Sequence, residues 1–326
     1  MSDSIHHPHD KLIIQILTDL EEAASFLEAY LPENLSQKID WNTLTLVKGS
    51  FIDEEYQDSA SDLLYLVQEM ESEEPFFLYV LLEHQSKPDK WMRFRFLKYM
   101  CRIWDESFKT FPKQQELVPI IPLVFYQGQY SWNYSTQFRD SFRKSARQLY
   151  FIPGFTHFLV DQSQYKSEEV KGALKARIAQ LLMLAAYHEV MDELLGILPQ
   201  LLAQLPLTGG LNYLVIFVRY LADTQPPEQV EKLIELTRNI SADVGGEMLT
   251  ARQAWTLEGE LKGELKGKIE GKIETVESFL KAGVGWDVIS HATGITQEKL
   301  QELKQKWQEM VTSSVSNRGT PSFPQG

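Results

Sequence analysis

The sequence of 326 residues has a single cysteine, Cys101, so no disulfide can close within the chain, and a disulfide-stapled secreted scaffold is excluded. No apolar run approaches the roughly 18 residues that would read as a membrane span. Residues 1–11 are polar and His-rich, with no apolar stretch behind basic residues, and read as no signal peptide. Positive charge is also short: 32 Lys and Arg face 45 Asp and Glu, a net charge of −13. A globally acidic chain is a poor starting point for binding nucleic acid, because phosphates are neutralised by Lys and Arg. No P-loop, GxGxxG or Ser-His-Asp pattern is present, which argues against an NTPase, a dinucleotide enzyme or a triad hydrolase. What remains is ordinary: 43% hydrophobic and 24% charged residues, with enough length for a full core. The expectation is a soluble protein of a reducing, cytoplasmic environment, without a membrane partner.

The charge is unevenly spread. Residues 53–74 carry nine acids and no base, whereas residues 85–113 carry eight bases against three acids, a local +5. An acidic segment beside a basic one is what a metal-dependent, phosphate-processing site needs. An ordinary salt-bridged surface has the same composition, so charge alone does not choose.

Hydrophobic periodicity predicts a helix over 10–31, stopped by Pro32. Strands follow at 44–47, 61–70 and 76–85, the last two nearly continuous in apolar residues, as in strands with both faces covered. A long basic helix spans 91–111. Residues 117–126 read as another buried strand, which Pro119 and Pro122 confine to an edge or to its start. Residues 138–149 read as a helix and 155–160 as a short strand. The order gives a mixed α/β core, followed by residues 167–238, which read as helical throughout.

Beyond the core, residues 258–274 repeat GELK, GELK, GKIE, GKIE. Leu257, Leu261, Leu265, Ile269 and Ile273 recur every fourth position, a step that drifts only about 40° on a helix and so forms an apolar stripe. Glycines 259, 263, 267 and 271 form a second stripe on the opposite side. This reads as a helical linker with a capacity for self-association. Residues 275–307 read as short helices broken at Thr293-Gly294, first of all a small packing module, in an arrangement that also resembles a helix-turn-helix unit. The Ser-, Pro- and Gly-rich end reads as disordered.

The chemistry points to the hairpin at 61–85. With the turn centred between Ser72 and Glu73, Asp62 falls opposite Glu83, and opposed residues share a face. Gln85, two residues on, points the same way. Two opposed carboxylates repel unless something positive intervenes. A divalent cation is the natural remedy. Two carboxylates and a carbonyl oxygen are hard ligands, suited to Mg²⁺, Mn²⁺ or Ca²⁺ rather than zinc. Lys87 follows on the same face and could touch phosphate. On spacing alone, the two acids could equally flank strand ends in water.

Several blocks taken together, PHDKLIIQIL, SDLLYLV, LLEHQS, RFRFLKYMCRIW and PIIPLVFYQG, resemble the Rpn family of recombination-promoting nucleases. These are also described as YhgA-type transposases, in the PD-(D/E)xK nuclease superfamily. The resemblance covers roughly residues 8–161. It implies a restriction-endonuclease-like mixed-sheet core flanked by helices, an all-helical C-terminal extension, and a metal-dependent DNA endonuclease whose breaks feed recombination or mobile-element movement. Asp62 matches the acid of the PD element, with Ser61 in place of the proline. Glu83 matches the first acid of (D/E)xK. Gln85 takes the lysine position, where it can orient water but carries no charge. Asp10 matches an acid that such nucleases add to the metal site from the first helix, although an acid in a first helical turn also suits the helix dipole.

The organisation implied is a nuclease-like core over 1–165, a helical extension over 166–250, the charged Gly-repeat helix over 251–274, a small helical unit over 275–310 and a disordered tail over 311–326. Lys87, Arg93 and Arg95 are expected on the DNA backbone, where contacts position without reading sequence. The basic helix could instead pair with the acidic run before it. The competing reading is a nuclease fold that has lost activity and binds DNA or protein, which Gln85 and the charge of −13 favour. A homo-oligomer through the Gly-repeat helix is a further expectation.

Overall fold

The computed structural model describes residues 8–47, 62–72, 75–83 and 88–315. Two helices, α1 (Pro8–Leu17) and α2 (Leu20–Tyr30), stand where periodicity predicts one. The break is Asp19, whose carboxylate caps α2 by accepting the Glu21 amide N–H at 3.2 Å. It also receives the Lys175 ammonium at 2.6 Å. A short helix α3 (Glu33–Ser36) leads into five strands: β1 (Ile39–Leu46), β2 (Asp62–Glu69), β3 (Pro75–Glu83), β4 (Ile120–Tyr126) and β5 (Phe158–Asp161). They form one sheet in chain order. β1–β2 and β2–β3 are antiparallel, and β3–β4 and β4–β5 are parallel. The β3–β4 crossover is helix α4 (Met92–Thr110).

Both sheet faces are covered, as the continuous apolar strands imply. Leu64, Phe77, Val124 and Tyr126 pack against Phe96 and Ile103 of α4. On the other face the Tyr65 hydroxyl donates to the Leu17 carbonyl at 2.6 Å, and Phe26 meets Phe125 edge-on at 5.3 Å. Burying such aromatic and aliphatic side chains contributes roughly 1.5–3 kcal/mol each. β4 lies inside the sheet, so of the two places its prolines allow, an edge or the start of the strand, they take the second: Pro119 precedes β4 and Pro122 is its third residue. β5 pairs only with Leu123–Tyr126, so at Pro122 β4 has a neighbour on one side only and the missing N–H breaks no ladder.

Residues 138–149 are not the expected helix. They form two 3₁₀ turns, Phe138–Ser141 and Lys144–Ala146. Arg147 folds back onto the carbonyls of Phe142 and Asp140, at 3.0 and 3.3 Å, and pairs with the Asp140 carboxylate at 2.5 Å. These bonds take backbone acceptors that a helix would use.

After β5 the described residues are mainly helical: α5 (Leu174–Tyr187), α6 (Met191–Leu194), α7 (Leu198–Gln204), α8 (Leu211–Thr224), α9 (Pro227–Ile240), α10 (Ala242–Lys281), α11 (Trp286–Thr293) and α12 (Gln297–Val315). Contacts divide the described chain into two compact units, residues 8–248 and 249–315. The first contains the sheet and helices up to α9. The second has its own small core of Val276, Ile289, Ile295 and Leu300. In it α11 stops at Gly294, whose φ of +68° is the left-handed conformation that ends a helix without a Cβ penalty. α12 runs on to Val315; residues 316–326 of the expected tail lie outside the described residues. Among the described residues no helix is long and apolar enough to cross a membrane.

Candidate active site

The hairpin pairing differs from the expected one. Asp62 stands opposite Leu81, not Glu83, and the ladder runs from there to Gln68 opposite Pro75. The turn is centred one position earlier than the polar break indicates, which slides the register by two residues. An even slide keeps every residue on its face. Asp62 and Glu83 therefore hold positions on the face shared with Leu64 and Phe77, which α4 covers. They are diagonal neighbours, a relation for which Cα atoms lie roughly 7–8 Å apart. Gln85 and Lys87 lie outside the described residues.

Glu83 pairs with Tyr126 on β4, and Tyr126 pairs with Asp161 on β5. This row marks the carboxyl ends of the three parallel strands. Tyr126 is fully buried and its hydroxyl donates to the Tyr130 carbonyl at 2.7 Å. The Asp161 carboxylate accepts the Trp132 N–H at 2.8 Å, and the Ser163 N–H and hydroxyl at 3.0 and 2.7 Å. It is a third acid at this end of the sheet, with its acceptors committed to the turns around it. No motif in the sequence marks it.

Asp10 sits in the first turn of α1, and one of its carboxylate oxygens is shielded from solvent. Tyr187, at the end of α5, has its hydroxyl pKa raised by burial first, then by the Asp10 carboxylate and by Tyr126. Tyr187 thus lies within electrostatic reach of both Asp10 and the residue paired with Glu83. His9, beside Asp10, does not dangle in water. Its ring packs against Tyr187, and its Nδ1 lies 2.6 Å from the Tyr220 hydroxyl.

The basic helix is less free than its sequence reads. Arg93, expected on DNA, is buried, and its guanidinium donates to the Gln137 carbonyl at 3.3 Å. Arg95 is half-buried and pairs with Asp89 at 3.4 Å. Gln127, just past β4, is fully buried, and neither atom of its amide has a hydrogen-bond partner among the described residues. Among the described residues no group of three or more His, Cys, Asp or Glu side chains could hold a metal ion; the side chains of Asp62 and Glu83 are not part of that set.

Residues 7–209 match the family described as "Putative transposase, YhgA-like". The chain belongs to this family. Among curated relatives of this YhgA-like chain, the recombination-promoting nuclease RpnC of Escherichia coli K12 is 32% identical over 253 residues, covering 76% of this chain and 80% of its own length. The recombination-promoting nuclease RpnA of the same strain is 29% identical over 307 residues, 91% of this chain and 97% of the relative. The inactive recombination-promoting nuclease-like protein RpnE is 30% identical over 203 residues, 60% of this chain and 62% of the relative. No solved structure matches the chain. The relatives make this a family of recombination-promoting nucleases that includes inactive members.

Proposed function

We propose that this YhgA-like protein is a metal-dependent DNA endonuclease of the PD-(D/E)xK type, acting in the cytoplasm. One observation carries the reading: Asp62 and Glu83 hold diagonal positions on a single face of β2 and β3, at the carboxyl end of β3. Two neighbouring carboxylates there are the donor set of a hard divalent ion, Mg²⁺ or alternatively Mn²⁺ or Ca²⁺. Asp62 and Glu83 would hold it, with Asp10 added from α1. Bound there, the ion would supply Lewis-acid stabilisation of a phosphodiester oxygen and a lowered pKa for water. Gln85 would orient that water through its amide, which accepts and donates but adds no charge. Lys87 and the half-exposed Arg95 would hold the DNA backbone. The breaks would feed recombination or mobile-element movement.

Plasmid nicking tests this. Wild type is expected to nick supercoiled DNA in Mg²⁺, Mn²⁺ or Ca²⁺, and Asp62→Ala and Glu83→Ala are each expected to lose the activity by at least about 10²-fold, the scale of losing one group that stabilises transition-state charge. Cleavage surviving both substitutions rejects the site. No cleavage by wild type in any of the three metals favours the second reading, an inactive nuclease-fold binding module. The inactive relative and the Gln at position 85 support that reading.

The reading includes self-association through α10. Leu257, Leu261 and Leu265 are exposed along it, by 56%, 57% and 44%. Two copies laid antiparallel about Gly263 bring Leu261 against Leu265, Glu258 against Lys268 and Glu260 against Lys266. Apolar positions then meet apolar ones and each acid meets a base.

A further inference from the structure

The chain between β4 and β5 is acid-poor: residues 138–152 hold Arg139, Arg143, Lys144 and Arg147 against the single Asp140, in a protein of net charge −13. This segment is a loop closed at its base. Gln137 bridges Thr156, the Phe138 N–H donates to the Phe155 carbonyl at 2.9 Å, and the rings of Phe138 and Phe155 stack at 4.9 Å. Two of its cations stay inside it. Arg147 is bound to Asp140 as described, and the Arg139 side chain lies against Gly154. The other two, Arg143 and Lys144, are exposed.

Beyond them the same loop presents Tyr150, 94% exposed, and Phe151, 64% exposed, with their rings edge to face at 5.5 Å. Two aromatic rings standing in water on a loop that is closed and stapled are an uncommon use of apolar surface. The base of the loop is fastened to the first turn of α4 by the bond from Arg93 to the Gln137 carbonyl. That turn follows the segment leading from Glu83, and it exposes more of the same chemistry. Trp91 is 55% exposed with the Lys90 ammonium 5.4 Å from its ring, and Phe94 is 49% exposed.

We propose that the 138–152 loop is the substrate grip of this protein and that it selects unpaired DNA. The inference rests on the DNA-endonuclease reading and adds the form of the substrate. Exposed cations and exposed aromatic rings carried on one loop fit a strand that offers phosphates and open base faces together. In duplex DNA those faces are stacked on one another, and reaching them costs unstacking. Arg143 and Lys144 take backbone phosphates, and Tyr150 and Phe151 take bases. The first pair serves any DNA, and the second only strands whose bases are exposed.

The test is binding of the full chain, in EDTA so that nothing is cleaved, to a fluorescein-labelled single strand and to the same sequence as a hairpin duplex, read by anisotropy. Wild type is expected to bind the single strand more tightly. Tyr150→Ala with Phe151→Ala is expected to lose at least about 5-fold on the single strand, the low end for one stacked base, and to leave the duplex affinity unchanged. Arg143→Glu with Lys144→Glu is expected to weaken both and to flatten the salt dependence. Thermal melts of both variants matching wild type establish that they fold, as expected for exposed positions. The proposal is overturned if wild type binds no single strand, if the aromatic variant binds it as wild type does, or if that variant loses equally on both forms. A protein that nicks plasmid but shows one of these results keeps its nuclease site and loses the grip. A protein that shows the expected binding but never cleaves keeps the grip and loses the nuclease.

Discussion

His157 and Arg93 account for one another. His157 is 1% exposed, with its ring against Phe96 at 5.2 Å and Trp132 at 6.3 Å. Burial, and then the nearby Arg93 guanidinium, push its pKa down to about 4, so the ring is neutral at neutral pH. In the unfolded chain the same histidine takes a proton near pH 6.5. Between those two values the unfolded state binds the extra proton, so stability falls as pH falls from about 6.5 to about 4. The full effect is on the order of a few kcal/mol. Urea midpoints measured across that range are expected to drop for wild type. They are expected to stay nearly level for His157→Phe, which keeps a ring between Phe96 and Trp132 and removes the proton. An equal drop in both would place the acid-sensitive group elsewhere. None of this was legible in the sequence, where His157 is one of seven histidines. Its burial depends on Phe96 of α4 and Trp132 of the segment between β4 and β5, both distant along the chain, meeting around it.

At the scale of elements, the hairpin shows how far pattern reading reaches. Both strands are nearly continuous in apolar residues, so the shared face of Asp62 and Glu83 follows from the parity of the pairing, which the observed register keeps. It does not fix which residue stands opposite, because slides of two leave the pattern unchanged. Turn geometry makes that choice, and the polar run at 71–75 offers several equivalent centres. The observed register can be tested by cross-linking, since Cys101 is the only native thiol. With Cys101→Ser as background, Asp62→Cys with Leu81→Cys is expected to oxidise readily, because directly opposed Cα atoms lie roughly 4.5–5.5 Å apart. Asp62→Cys with Glu83→Cys, at a diagonal roughly 7–8 Å apart, is expected to oxidise poorly. The reverse ranking would restore the register expected from the sequence. The helix expected over 138–149 gives way to two 3₁₀ turns, where the Arg147 side chain binds the carbonyls of Phe142 and Asp140.

For the whole molecule, contacts draw one boundary, between residues 248 and 249, inside the 40-residue helix α10. The apolar stripe seen in the sequence divides on that helix. Ile269 is buried and Ile273 packs on the core of the second unit, while Leu257, Leu261 and Leu265 stay exposed. Self-association through the exposed part predicts a dimer by light scattering for wild type, and a monomer at the same concentration for Leu261→Lys, which puts a charge at the centre of the paired stripe. A wild type of monomeric mass, or a variant of unchanged mass, would end that assignment. The substitution is expected to leave plasmid nicking intact, because Leu261 lies outside the unit that holds the sheet.

The sequence by itself determined the mixed α/β core, the helical region after it and the family, because these follow from local periodicity and from blocks of residues in order. Tertiary structure alone decided that Arg93 faces inward, that Asp161 joins the row at the strand ends, and that Tyr150 and Phe151 stand in water. Those outcomes depend on which distant elements pack together, and a pattern of period two or 3.6 carries no record of its neighbours.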